Sequence, residues 1–392
     1  MRRRSFLVAC LTVLAGCSTL RQRWRQIQSA RGNGAATESP SPTPTETVVP
    51  TSDTPTATRT RTRTATRTQT QTRTPTDTQT PPDTESPTPT ETPVAQGNTD
   101  LARRAMRRAE EDIDAAVEKY LSYQDGANSL VDVTAATESF SWTAVASHLN
   151  KAREHLDEAV KLGSKTQIER ANDLRDVAVF VQLTARAQNQ LIDAFSNLQK
   201  AVDLLYANSL QTADTERNNM ATHVDTATER LNDIDEELDP AVLDTTDVLD
   251  RSIYDKKTSQ FQNEIDSLEV IDKDFDTLIS AMDTFATAVD SYESSAYEDA
   301  TTEFFSAQGS FDNAESTFTE HDPADSLNPQ VDEFVCVAAA MAEGSGLMAQ
   351  SAAAGDNNNT ERRRERKQSA LDAFGECETV INEVEPVKRL QN

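Results

Sequence analysis

The sequence of residues 98–392 predicts an all-α fold, a multi-helix antiparallel bundle of long amphipathic helices. Apolar residues recur at three- and four-residue spacing through this region, which is the period of one helix face. Runs of β-branched residues are nearly absent from it, and the whole chain contains only 11 glycines, a composition that favours helix over strand. A segment of this length can bury a sizeable core, as one large domain or as two smaller ones.

A helical-repeat solenoid is the alternative architecture. Ala307, Phe311 and Ala314 fit the spacing of the second helix of a tetratricopeptide repeat. The Trp, Leu and Gly positions of that repeat's first helix have no counterpart here, and no period of about 34 residues is found. The sequence therefore favours the bundle.

The first three helices are predicted at about 99–123, 140–162 and 165–208. A fourth is predicted in the segment that follows, and it ends at Pro240. Their apolar stripes include Met106, Ile113 and Tyr120 in the first; Trp142, Val145, Leu149 and Leu156 in the second; and Met220, Val224, Leu231 and Ile234 in the fourth. The third helix is apolar all round at 177–181, which is typical of a helix buried on most sides. We expect it at the centre of the bundle.

Four further helices follow, and Pro323 and Pro329 separate the sixth from the seventh. Their stripes include Phe261, Phe275 and Phe285 in the fifth; Phe304, Phe311 and Phe318 in the sixth; Val331, Phe334 and Met341 in the seventh; and Leu371, Phe374, Cys377, Ile381 and Val384 in the eighth. Helices of this length and pattern predict packing similar to that of a coiled coil.

Charge divides the chain sharply. Residues 1–97 contain 12 basic and 7 acidic residues, whereas residues 98–392 contain 26 basic and 58 acidic residues, a net charge of −32. This balance argues against nucleic acid as a partner, because binding phosphates requires clustered Lys and Arg. It suits a halophilic protein, because at about 1 M salt the Debye length is roughly 3 Å and self-repulsion is screened.

The N-terminus predicts a signal peptide at residues 1–16. Three arginines precede the eleven largely apolar residues 6–16, a stretch too short to span a bilayer, which needs about 20. Arg3, Arg4, Phe6 and Leu7 resemble the twin-arginine export motif; Val8 follows where Lys is usual, which leaves both the twin-arginine and the general secretory route open.

The run from Leu14 to Cys17 resembles the lipobox of lipoproteins, in which the cysteine thiol receives a lipid. Together with the acidic domain, both motifs resemble those of exported haloarchaeal lipoproteins. This resemblance covers about 25 residues. It implies that Cys10 is removed with the signal, that Cys17 is lipidated, and that the protein is anchored on the extracellular face of the cell membrane.

Residues 17–36 are predicted to form the lipid anchor and a basic juxtamembrane segment. Arg21, Arg23 and Arg25 flank Trp24 there, a composition that suits contact with anionic lipid headgroups, with a solvated spacer as the alternative. Residues 37–97 are dominated by Thr and Pro and predict a disordered linker. Such composition is typical of O-glycosylated stalks, although a bare linker fits equally.

Cys336 and Cys377 are the two cysteines of the predicted domain. Their midpoint coincides with the polar turn at 355–360, so an antiparallel hairpin folded there places them level. Because disulfides persist in exported proteins, we predict a Cys336–Cys377 bond, with two reduced core thiols as the alternative. The same turn contains Asn358-Asn359-Thr360, a candidate N-glycosylation sequon at Asn358.

The remaining polar motifs do not predict catalysis. No phosphate-binding glycine loop, nucleophile elbow or zinc-ligand spacing occurs, so we predict no enzymatic activity, no cofactor and no metal site. His148 and His155 share one face of the second helix beside its apolar seam, and we expect both to be solvated or to flank that seam. The arginine clusters at 103–108 and 362–367 are interpreted as ion-paired faces, with a partner site as the alternative.

Two functional hypotheses follow. The first is a cell-surface lipoprotein whose tethered helical bundle is a protein-interaction or envelope-support module, with a protein partner that the sequence does not identify. The alternative is an extracytoplasmic solute- or metal-binding lipoprotein, which would require a polar pocket or converging carboxylates.

Overall fold

The computed structural model describes residues 96–391, all of which belong to the compact unit Ser86–Asn392. The predicted signal peptide, the lipid anchor at Cys17, the basic segment with Arg21, Arg23 and Arg25, and almost all of the predicted linker lie outside the described residues. Within residues 96–391 every regular element is a helix. The predicted all-α bundle is therefore confirmed.

Ten α-helices follow one another along the described chain. They are α1 (Gln96–Leu121), α2 (Trp142–Leu162), α3 (Lys165–Tyr206), α4 (Leu210–Glu237), α5 (Arg251–Glu293), α6 (Tyr297–Glu320), α7 (Asn328–Asp356), α8 (Thr360–Phe374), α9 (Glu378–Glu383) and α10 (Glu385–Gln391). Short 3₁₀ helices lie in two connections, at Leu130–Asp132 and Pro240–Thr245.

Three of the connections are the same turn of three residues. They join α3 to α4, α5 to α6 and α7 to α8, and the middle residue of each is left-handed: Asn208 (φ 57°), Ser295 (φ 67°) and Asn358 (φ 55°). In each, the amide of the third turn residue donates to the carbonyl five residues earlier, at 2.8 Å. Such a turn reverses the chain at once, so each pair forms an antiparallel hairpin.

The helices pack mainly on their neighbours in sequence, and α3 and α5 connect the rest. The helix α3 contacts α1, α2, α4 and α5, whereas α5 contacts α4, α6 and α7 as well. Val177, Ala178, Phe180 and Val181 of α3 are completely buried. The prediction that this segment lies at the centre of the bundle is confirmed.

The C-terminal helix differs from its prediction. One helix was expected to continue through Cys377 and Val384, but α8 ends at Phe374, and Cys377 is the N-cap residue of α9. Gly375 follows the end of α8, and its weak helix propensity favours a break there. Pro386 stands in the first turn of α10, where its missing N–H costs nothing.

Candidate functional site

The structure brings Cys336 and Cys377 to disulfide-bonding distance, with Cα atoms 5.7 Å apart. Cys336 lies on α7 and Cys377 between α8 and α9, so the pair fastens the end of the α7–α8 hairpin. Asn358 is exposed in the turn of that hairpin. The geometry agrees with the predicted pairing and leaves the predicted sequon accessible.

The two histidines of α2 lie beside its apolar seam. Both are partly buried, and His155 Nε2 lies 3.6 Å from Asp112 Oδ2 of α1. Among residues 96–391, no group of three or more His, Cys, Asp or Glu side chains is placed to hold a metal ion.

A buried polar cluster lies where α1, α3, α5 and the α1–α2 connection meet. At its centre is Lys257 of α5, whose side chain is completely buried. Lys257 Nζ donates to the carbonyl of Val133 at 2.7 Å, to Gln188 Oε1 at 2.7 Å and to Gln260 Oε1 at 3.0 Å. Tyr120 Oη donates to the same Gln188 oxygen at 2.9 Å. All three ammonium protons therefore have acceptors.

Glu264, two turns further along α5, anchors two connections. Its Oε1 accepts from the amide of Ala135 at 3.1 Å, from Ser326 Oγ at 2.9 Å and from Gln260 Nε2 at 3.2 Å. Gln260 thus links Lys257 to Glu264, and the two charged groups attach segments from both halves of the chain to α5.

Burial shifts the ionisation of both charged groups in the cluster. Removal from water lowers the pKa of Lys257 from 10.5 to about 7, an effect that the charge of Glu264 partly offsets. Removal from water also raises the pKa of Glu264 above its ordinary value, against the influence of Lys257. Shifted pKa values often mark catalytic sites, but Lys257 is sealed from solvent, so we assign this cluster to holding the fold together.

Sequence reasoning missed this cluster, although a signal was present. Lys257 lies four residues before Phe261, and Glu264 lies three after it, on the apolar stripe of α5. A charged residue in phase with such a stripe is predicted to be buried and paired.

The candidate binding site is a basic and aromatic cleft of about 350 Å³ formed by α5, α6, α8, α10 and the α5–α6 turn. Its lining combines four cations, two tyrosine rings and one carboxylate: Arg363, Arg364, Lys367, Arg389, Tyr292, Tyr297, Glu293, Ser295 and Leu390. We refer to this set as the basic cleft.

Two of the four cations have partners within the basic cleft. Arg389 is paired with Asp290 at 2.6 Å and with Glu293. The guanidinium of Arg363 lies 5.3 Å from the centre of the Tyr297 ring and donates to its hydroxyl. Arg364 and Lys367, by contrast, have no carboxylate oxygen within 4.0 Å of their nitrogen atoms among the described residues. Salt bridges elsewhere in the domain join nitrogen and oxygen atoms that are closer than this distance.

The interpretation of residues 362–367 as an ion-paired face is wrong for the described part of the chain. None of Arg362, Arg363, Arg364, Arg366 or Lys367 forms a salt bridge there. Glu361 and Glu365 of the same helix are exposed, and an ion pair in water gives too little energy to hold long side chains in place. In the cluster at 103–108, Arg103 pairs with Asp100 at 3.2 Å, and the exposed Arg104 and Arg107 form no described salt bridge.

A second, smaller cleft of about 220 Å³ lies between α2, α3 and α4. Its cations are engaged: Arg186 stacks on the ring of Trp142 at 4.9 Å, and Arg230 pairs with Asp233 at 2.6 Å. It therefore offers less free charge to a ligand than the basic cleft does.

None of the helices in the described part of the chain is long and apolar enough to cross a bilayer. Comparison of the chain with protein-family models, with curated proteins and with solved structures finds no match.

Proposed function

We propose that this protein is a lipoprotein of the haloarchaeal type, anchored through Cys17 on the extracellular face of the membrane, whose helical bundle binds a protein partner. The signal-like N-terminus, the lipobox-like run and the Thr/Pro-rich segment before the bundle support the anchor. As a flexible coil, the 80 residues from Ser18 to Gly97 would span roughly 50 Å, which is enough to hold the bundle away from the lipid surface.

The basic cleft is the main observation that supports a binding role. Residues 98–392 contain 58 acidic against 26 basic residues, so a cleft lined by four cations and one carboxylate departs from the composition of the domain as a whole. Cations that are not neutralised within the fold are available to an external anion.

We propose no enzymatic reaction. Lys257, whose pKa is lowered by burial to about 7, is sealed within the polar cluster and does not line the basic cleft. The volume of the basic cleft falls within the range of small-molecule sites, about 300–1,000 Å³, so an anionic solute is the second candidate for its ligand.

Membrane attachment is tested by fractionating cells that express the full chain or its Cys17→Ser variant. We expect the wild-type protein in the membrane fraction with a lipid mass, and the variant released or unprocessed. A variant that stays processed and equally membrane-bound would contradict the anchor.

The binding role is tested by chemical cross-linking on intact cells. The Arg364→Glu/Lys367→Glu variant is compared with the wild-type protein and with Arg104→Glu/Arg107→Glu, which makes the same charge change on α1. We expect a protein adduct that the wild type and the α1 variant form and that the cleft variant loses. Identical adducts in all three would contradict a partner site at the basic cleft.

A further inference from the structure

We propose that the basic cleft recognises an acidic segment of a protein, whose carboxylates pair with Arg364 and Lys367. This inference rests on the proposed binding function and names the chemistry of the partner. Both cations lie on α8 three residues apart, so they project from the same side of the helix. Arg364 is exposed and Lys367 partly so, which leaves both within reach of a ligand.

One cation of the cleft already binds carboxylates of the domain itself. Arg389 of α10 holds two carboxylates of α5, those of Asp290 and Glu293, side by side. Arg364 and Lys367 of α8 differ from Arg389, because neither has a carboxylate partner among the described residues. A ligand that supplies two carboxylates at peptide spacing would complete the pattern, because charge-assisted hydrogen bonds of this kind are among the strongest in proteins.

Hydrogen bonds and close packing position the aromatic wall of the cleft. Tyr292 Oη and Ser351 Oγ are 2.9 Å apart, and Ser351 Oγ donates to the carbonyl of Arg363 at 2.8 Å, which connects α5 and α7 to the start of α8. Gly355 lies so close to Tyr297 that an added Cβ would come within 2.9 Å of its ring. A preformed wall lowers the entropy cost of binding.

The two rings also suit the rest of a peptide. Tyr292 and Tyr297 meet edge to face, with centroids 5.6 Å apart, and both are partly exposed. Aromatic faces pack against the methylene groups of Glu and against neighbouring apolar residues, while their hydroxyls stay in polar contacts. A free phosphate would use the cations but not this wall.

The charge of the whole domain favours a narrow ligand over an anionic membrane. With 58 acidic and 26 basic residues at 98–392, a flat anionic surface pressed on the cleft would also meet the acidic surface around it and be repelled. A peptide segment that enters the cleft brings its charge close to four cations and to one carboxylate, Glu293, which is already paired with Arg389.

The probe is a fluorescent glutamate decapeptide, titrated by anisotropy against the full chain in uncharged detergent, at the lowest KCl concentration that keeps the native circular dichroism. We expect saturable binding. The Arg364→Gln/Lys367→Gln variant should weaken it by at least about tenfold, because two charge-assisted contacts are lost. The matched Arg104→Gln/Arg107→Gln variant should change it by less than about twofold.

Three competitors decide the chemistry of the ligand. A glutamine decapeptide, inorganic phosphate and micelles of the same detergent mixed with phosphatidylglycerol should each fail to displace the probe at concentrations where unlabelled glutamate decapeptide does. Displacement by any of these three at those concentrations, or equal binding by the cleft and α1 variants, would overturn the proposal.

Circular dichroism and thermal unfolding of each variant show that lost binding is not lost folding. If cellular cross-linking depends on Arg364 and Lys367 while the glutamate peptide does not bind, the proposed function stands and this inference fails. If the peptide binds and no adduct forms on cells, the peptide chemistry stands and the cellular role fails.

Discussion

Lys257 is enclosed on all sides, and its charge is stabilised by acceptors that come from three separate parts of the chain. Val133 belongs to the α1–α2 connection, Gln188 to α3 and Gln260 to α5. If one partner of such a buried charge is removed, the remaining polar groups have no hydrogen-bonding partner and no contact with water. In comparable cases the free energy of unfolding falls by about 3–5 kcal/mol. The side chain is therefore a strong local determinant of stability.

We predict that Lys257→Met changes how stability depends on pH. The pKa of Lys257 is about 7 in the folded domain and 10.5 ordinarily, so between these values the unfolded chain binds more protons at this position. Lys257 therefore makes the unfolding free energy rise with pH across that window, by on the order of 5 kcal/mol. The raised pKa of Glu264 acts oppositely, because the folded chain keeps its proton above the ordinary pKa of 4.5.

Urea unfolding of the full chain between about pH 6 and about pH 11 measures the effect. The stability advantage of the wild type over Lys257→Met should grow as the pH rises above 7. Lys256→Met, which changes the exposed neighbouring lysine, should run parallel to the wild type. Parallel profiles for wild type and Lys257→Met would contradict the buried-charge account.

Glycines set how closely neighbouring helices approach one another. Gly344 of α7 faces Phe374 of α8, and a Cβ atom there would overlap the phenylalanine ring, which also packs on Phe285 of α5 at 5.7 Å. Gly309 of α6, in contrast, has nothing within 4 Å of an added Cβ. The same substitution should therefore act in opposite directions at the two positions.

We predict that Gly344→Ala destabilises the domain by about 1–3 kcal/mol through overpacking. Gly309→Ala should stabilise it by about 0.5–1 kcal/mol, because alanine is the better helix former and the site is open. Chemical denaturation of both variants measures the difference. A stabilising Gly344→Ala would show that α7 and α8 can separate without loss.

The predicted Cys336–Cys377 bond should stabilise the folded arrangement of the last three helices. Alkylation of the protein under denaturing, non-reducing conditions should label neither Cys336 nor Cys377, and prior reduction should expose both. A bond across 41 residues restricts the unfolded chain by about 4 kcal/mol in the entropy model. The Cys336→Ala/Cys377→Ala variant should lose stability of that order, and two labelled cysteines without reduction would refute the bond.

The helix pattern of this domain could be predicted closely from its sequence, and the exceptions have physical causes. The start of α3 at Lys165 is the one expected from periodicity, because the apolar stripe is long and regular. The break after Phe374 was missed because Ile381 and Val384 continue the stripe in phase. The basic cleft was missed because it joins residues from α5, α6, α8 and α10, which no local pattern places together.

The charge of the whole domain predicts its response to salt. With 58 acidic and 26 basic residues at 98–392, self-repulsion should destabilise the folded state in dilute buffer. The melting temperature should rise as KCl increases from about 0.1 M to about 2 M, because screening reduces this repulsion. A melting temperature that is flat or falls with KCl would count against the halophilic interpretation.

The packing of each helix on its neighbours in sequence has a consequence for folding kinetics. Hairpins closed by three-residue turns form contacts that are local along the chain, which gives low contact order and fast folding. The buried cluster is the exception, because the hydrogen bond between Lys257 and Val133 joins residues 124 positions apart and that between Ala135 and Glu264 joins residues 129 apart. The amide of Ala135 lies outside any helix, so its hydrogen exchange is slowed only when both halves of the chain have met. We therefore expect protection of that amide from exchange during refolding to report when these two distant segments come together, after the local hairpins have formed.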